Sequence, residues 1–149
     1  MIVKKIINWL VFGGAIQMAI INQVNAKSIS VTVNNIDIGR PGVVLVMLFG
    51  REGFPKDHGQ ALVIKSQTAE KNELVFNFDV ALSEFAIKVL HDENEDGKTT
   101  KDWTGIIPAE GLGFSNGAKL GIFGPPSFKR SALQIEEVNS DLSISVIYP

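Results

Sequence analysis

The chain is 149 residues long, 45% hydrophobic and 20% charged, with a formal net charge of −2 and no cysteine. The missing cysteine excludes disulfides and thiolate metal sites. The slightly acidic balance, with no basic stripe, excludes nucleic acid as a natural partner.

The first 26 residues read as a secretory signal peptide. Lys4 and Lys5 form a positive n-region, residues 6–21 an apolar stretch, and Val24-Asn25-Ala26 a small-residue cleavage site. The apolar run approaches spanning length, so a retained anchor is the rival reading, though Gly13, Gly14, Gln17 and Asn22 interrupt it. Cleavage leaves one domain, residues 27–149, periplasmic or secreted and without a membrane span. Loss of the two leader lysines leaves 12 of the 14 basic residues against 16 acids. A domain of this size can bury a core of its own.

From residue 29 the pattern has period two, the spacing of half-buried strands. Ile29, Val31 and Val33 alternate with Ser30, Thr32 and Asn34. Residues 42–49 are a continuous apolar run, which predicts a central strand buried on both faces. Residues 61–64 begin another strand, and 66–72 hold a short turn. Leu74, Phe76 and Phe78 alternate with Val75, Asn77 and Asp79, and Phe85, Ile87 and Val89 with Ala86, Lys88 and Leu90. Leu133 with Ile135, and then Leu142 through Tyr148, complete the set. About seven short strands with turn signals between them predict an all-β fold, a single β-sandwich of immunoglobulin-like or transthyretin-like kind. Its interior should contain Val31, Val44, Val46, Phe76, Ile87, Val89 and Ile144. Residues 92–128 break the regular spacing. They form one long Gly/Pro-rich loop, and its recurring aromatics (Trp103, Phe114, Phe123, Phe128) suggest a lid packed on the sandwich.

The strongest chemical signal is the start of that loop. Asp92, Asn94 and Asp96 place oxygen side chains at every second residue, and Gly97 follows where the backbone must turn sharply. This is the first half of a calcium loop. Lys98 would offer its carbonyl and Thr100 its hydroxyl or a bridging water. The twelfth position is Trp103 where an EF-hand has a bidentate Glu, so Asp102 or Glu110 would have to supply the missing carboxylate. The plainer alternative is a solvated acidic turn, since Asn and Asp side chains cap backbone N–H groups. Glu110 is then a surface charge.

Other motifs are weaker. Gly113-Phe114-Ser115-Asn116-Gly117 fits the Gly-x-Ser-x-Gly pattern, but a nucleophile elbow needs a strand before it, a helix after it and an α/β sheet behind. Asn116-Gly117 reads better as a turn with positive φ. His58 and His91 lack metal-ligand spacing, and the plain role of His91 is a hydrogen bond to Asp92. Trp103 and the loop phenylalanines could also form a platform for a glycan or a peptide.

Three segments in order carry a resemblance: His91-Asp92-Glu93-Asn94 with Gly97-Lys98; the run from Gly105 through Glu110-Gly111-Leu112-Gly113-Phe114-Ser115-Asn116; and Gly124-Pro125-Pro126-Ser127-Phe128. Together with the strands at 29–33 and 43–49, they resemble the bacterial secreted family called domain of unknown function 2141. The resemblance implies an exported β-sandwich and brings no catalytic residues with it. Thr100 stands where that family often has an acid. The expectation is a non-catalytic exported domain with calcium as a weak structural ion. Its rivals are a module binding an envelope protein or glycan through residues 103–128, and a small hydrolase using Ser115 or the Asp92, Asp96 and Glu110 carboxylates.

Overall fold

A computed structural model of the chain describes residues 25–149 apart from Trp103 and Ile106. Residues 1–24 of the expected leader therefore lie outside the described residues, as does Trp103. Eight strands follow one another among those described: β1 (Lys27–Asn34), β2 (Val43–Phe49), β3 (Val63–Thr68), β4 (Leu74–Val80), β5 (Glu84–Asp92), β6 (Gly111–Phe114), β7 (Leu133–Gln134) and β8 (Asp141–Ser145). One helical turn, α1 (Phe128–Ser131), precedes β7. One sheet has the order β4-β1-β8 and the other β3-β2-β5-β6, with β7 paired to Glu84 and Phe85 at the start of β5. No helix among the described residues is long and apolar enough to cross a membrane.

The alternating strands build the interface between the sheets. β4 buries every second residue and exposes the rest, the pattern of a sheet with one face in water. Its buried Phe76 and Phe78 join Val31 and Val33 of β1 and Ile144 of β8. Against them pack Val44, Val46, Phe85, Ile87 and Val89 of the other sheet. This shared core makes the molecule an all-β sandwich, and it contains all seven residues expected inside.

The continuous apolar run at 43–49 has a different cause. β2 and β5 are central strands, and the outer face of their sheet is covered as well. A second apolar cluster of Met47, Phe49, Leu90, Leu112 and Phe114 lies on that outer face beneath Phe54, Ala61 and Ala118. The Phe54 ring stands edge-on to Phe49, Phe114 and Phe128, with centroids 5.4, 6.3 and 5.9 Å away. Phe128 thus packs on Phe54 as part of the cover, whereas Phe114 belongs to the covered sheet face and Phe123 is 99% exposed.

Four elements differ from expectation. β6 lies inside the supposed long loop, antiparallel to β5. Its glycines disguise it, and they are there because β6 presses on the other sheet. A Cβ on Gly111 would stand 2.5 Å from both Val146 Cγ1 and Tyr148 Cε1, and one on Gly113 2.8 Å from Ile144 Cγ2. Leu112 and Ile147 exchange backbone bonds of 2.9 and 2.8 Å, tying this edge to the chain end. β3 runs on to Thr68, where a turn was expected from residue 66. The strand expected at 133–136 is regular for two residues only, and β8 ends at Ser145 rather than continuing to Tyr148.

Candidate functional site

Alternation along β5 decides which way each side chain faces. Phe85, Ile87, Val89 and His91 point into the sandwich; Ala86, Lys88, Leu90 and Asp92 point to the covered outer face. Asp92 ends the strand and is buried. Close passage of the preceding segment fixes its backbone: a Cβ on Gly42 (φ +98°) would lie 2.1 Å from the Asp92 carbonyl oxygen.

The loop then folds around its own acids. Asp92 Oδ1 accepts from the Asp96 N–H at 3.2 Å and Oδ2 from the Gly97 N–H at 2.7 Å. Asn94 Oδ1 also accepts from the Asp96 N–H, and Asp96 Oδ1 accepts from the Lys98 N–H at 2.8 Å. The Asn94 amide donates to Asp96 Oδ2 and to Thr100 Oγ1, each at 3.2 Å. Glu95 (φ +59°) and Gly97 (φ +71°) both take left-handed backbone. That is routine for glycine and uncommon for glutamate.

Glu110 closes the loop from outside. It is buried, not the surface charge that its loop position suggests. Its two oxygens accept from the Glu93 N–H at 3.1 Å and the Thr100 N–H at 2.7 Å. Burial pushes its carboxyl up; the Asp92 and Asp96 charges add to this, and the two N–H bonds oppose it. Arg40 holds the other flank, donating to Glu93 Oε1 at 2.7 Å and to Asp37 Oδ2 at 3.2 Å, with its guanidinium 4.7 Å above the Tyr148 ring.

Of the seven residues picked from sequence, Asp92, Asn94, Asp96, Thr100 and Glu110 therefore share one bonded network. Lys98 contributes its N–H to Asp96 and is exposed. Asp102 Oδ1 accepts the Thr104 N–H at 3.0 Å. Among the described residues, no three of His, Asp and Glu form a group able to hold a metal ion by themselves. Amide, hydroxyl and carbonyl oxygens would have to complete any such site.

His91 does not bond Asp92. It lies inside the sandwich end, with Nδ1 2.7 Å from the Tyr148 hydroxyl and Nε2 3.0 Å from the Pro41 carbonyl. The Pro41 carbonyl can only accept, so Nε2–H donates to it, and with the proton on Nε2 the Tyr148 hydroxyl donates to Nδ1. Ser115 is equally committed: its buried hydroxyl accepts the Ile87 N–H at 2.9 Å and donates to the Ser131 carbonyl at 2.6 Å. Asn116 and Gly117 have φ of +57° and +61°, the turn that their dipeptide predicts.

The family model described as "Uncharacterized protein conserved in bacteria (DUF2141)" matches residues 31–143. The chain belongs to this family. The match runs from within β1 into β8, so the DUF2141 domain includes both sheets and the whole acidic loop. No curated protein and no solved structure matches the chain.

The DUF2141 domain also holds a cluster with no local signal in its sequence. Lys88, an apparent solvent position of β5, is only 4% exposed. Its ammonium donates to the Pro55 carbonyl at 3.0 Å, to Thr99 Oγ1 at 2.8 Å and to His58 Nε2 at 2.7 Å. The residues Lys88 and His58 are 30 apart in sequence, and only the fold of residues 50–62 over the sheet joins them. The available hint was the apolar outer face of β2, which implies a cover over its neighbour β5 too.

Proposed function

We propose that this DUF2141 domain is an exported, non-catalytic β-sandwich whose 92–102 loop takes up one calcium ion weakly, as a structural ion. The observation that carries the reading is Glu110. A buried carboxylate reaches from another segment to Thr100 and Glu93 and stands near Asp92 and Asp96, whose charges raise it further. A dication would offset that repulsion. Each carboxylate oxygen has two lone pairs, so an N–H bond leaves room for an ion. Asp92, Asn94, Asp96, Thr100 and Glu110, with the Lys98 carbonyl, offer the oxygen count that calcium needs once water is added. Left-handed backbone at Glu95 is the kind of local strain that functional loops retain.

Export rests on the tripartite pattern of residues 1–26; mass spectrometry of the exported protein should find Lys27 at its N-terminus. For the ion, melting curves in chelator and in millimolar calcium decide. A calcium-dependent rise that Asp96→Ala removes supports the loop site. Identical curves reduce the loop to a capped turn. The reading that then leads is a module binding an envelope protein or glycan through the 103–128 segment, favoured by the exposure of Ile122 and Phe123 (89% and 99%).

A further inference from the structure

The buried Lys88 ammonium has hydrogen-bond partners but, among the described residues, no ion-pair partner. All three of its protons go to uncharged acceptors. Among the described residues, no carboxylate lies within 4.0 Å of it. Glu110 is the acid whose field it feels, from beyond ion-pair distance. A buried cation without an anion is costly, and burial lowers this amine to about 8.

Lys88 and His58 form part of the wall of a cavity of about 800 Å³, within the range of about 300–1,000 Å³ typical of small-molecule sites. Two further features of the cavity point to a ligand. First, its charge is opposite to that of the chain. Lys56, Lys98 and Lys101 line it beside Lys88, against Asp57 and Asp96, while the whole chain is net negative. Second, its other wall is apolar: Leu112, Phe114, Leu120, Ile122 and Phe123. Ile122 and Phe123 sit at the tip of a two-residue hairpin closed by reciprocal bonds between Gly121 and Gly124 at 2.9 and 3.0 Å. The backbone is held while both side chains project almost fully into solvent.

We infer that this cavity binds a single-chain amphipathic carboxylate, its head against the Lys88–Thr99–His58 cluster and its tail along Leu112, Phe114, Leu120, Ile122 and Phe123. The carboxylate supplies the missing negative charge, taking over an ammonium proton from a neutral acceptor. The tail covers apolar surface that water now touches. The inference does not require calcium, although Asp96, Gly97, Lys98 and Thr99 of that loop line the cavity, and its test is run in chelator.

Isothermal titration with sodium decanoate, below its micelle concentration, should show saturable one-to-one binding. Acetate, the head without the tail, should not bind. Decyltrimethylammonium, the same tail with the opposite charge, should bind at least tenfold more weakly. Lys88→Met should weaken decanoate at least tenfold. Phe123→Ser should also weaken it several-fold without changing the melting temperature, because that ring supports nothing in the fold. This second variant decides the matter if Lys88→Met does not fold. Equal binding of the cationic and anionic amphiphiles, undiminished binding to Phe123→Ser, or no saturation with decanoate overturns the proposal. Binding to phosphatidylglycerol vesicles without binding of monomeric decanoate also overturns it, in favour of a membrane contact.

Discussion

The Lys88 ammonium stands 2.7 Å from His58 Nε2, and His58 Nδ1 stands 2.7 Å from the Gly97 carbonyl. The ring therefore donates through Nδ1 and accepts through Nε2, which only the neutral imidazole can do. One uncharged histidine thus links β5, the 50–62 loop and the acidic loop. Burial lowers its pKa from 6.5, Lys88 lowers it further, and the Gly97 bond resists. Below pH 6.5 the unfolded chain takes up a proton that the folded ring refuses, so stability falls as pH drops. Lys88 behaves likewise higher up. Between about 8 and 10.5 the unfolded amine holds a proton that the folded one has lost, so stability rises with pH. Urea unfolding at pH 7 and pH 10.5 should show a gain of about 3 kcal/mol from this group, absent in Lys88→Met. His58→Gln should flatten the acid limb.

Ile87 is fully buried at the centre of the sandwich. Truncation to Ala should cost about 2–5 kcal/mol in lost transfer energy and cavity. Ile122→Ala, at the exposed hairpin tip, should change stability by less than about 0.5 kcal/mol. Equal effects for the two would mean that β5 faces the wrong way.

The sandwich was legible because strict alternation has one physical cause. Val31, Phe76 and Ile144 each sit between more exposed neighbours, and a shift of one residue would put them in water. β6 was not legible. Gly111 and Gly113 bear no side chains to show a period, and their reason lies in Val146, Tyr148 and Ile144, distant in sequence. The acidic loop was legible through its local spacing, down to the positive φ at Gly97. Burial of Glu110 and Lys88 depends on what covers them, which no local pattern records.

Gly113→Ala should be strongly destabilising although glycine is usually a poor strand residue. The new methyl would meet Ile144 Cγ2 at 2.8 Å and the Ser145 carbonyl oxygen at 2.9 Å. A backbone oxygen cannot turn aside as a side chain can, so the two sheets must separate locally, at a cost of about 1–3 kcal/mol. The midpoint of urea unfolding measures it. A neutral result would show that β6 and β8 are not in close contact.

Ser115→Ala separates a structural serine from a reactive one. The change leaves the buried Ile87 N–H without its Oγ acceptor, although that N–H lies near the chain reversal where the Ser115 N–H also meets the Ile87 carbonyl at 3.0 Å. An orphaned buried donor should cost about 1–3 kcal/mol. A fluorophosphonate probe should leave the wild-type protein unlabelled, since the hydroxyl is buried and both its bonds are to backbone. Covalent labelling at Ser115 would revive the hydrolase reading.

Thr100→Asp gives opposite results with and without the ion. Thr100 Oγ1 accepts from the Asn94 amide, and the Thr100 N–H donates to Glu110. A carboxylate here joins Asp92, Asp96 and Glu110. In chelator, the added repulsion should lower stability by about 0.5–1 kcal/mol, as like charges sharing a site do. In calcium, the added ligand should tighten binding. The native loop has a small charge count and a hydroxyl at this position, so its Kd should be on the order of 10⁻⁴–10⁻³ M, as in extracellular modules. At ten times that Kd, linkage stabilises the wild type by about 1.4 kcal/mol; a tenfold tighter variant gains about 2.7 kcal/mol. For a domain of this size these differences move Tm by several degrees. The two melting curves should therefore cross: Thr100→Asp below wild type in chelator, above it or level with it in calcium. A deficit of the same size in both buffers would mean that the loop gathers its acids only to cap its own backbone.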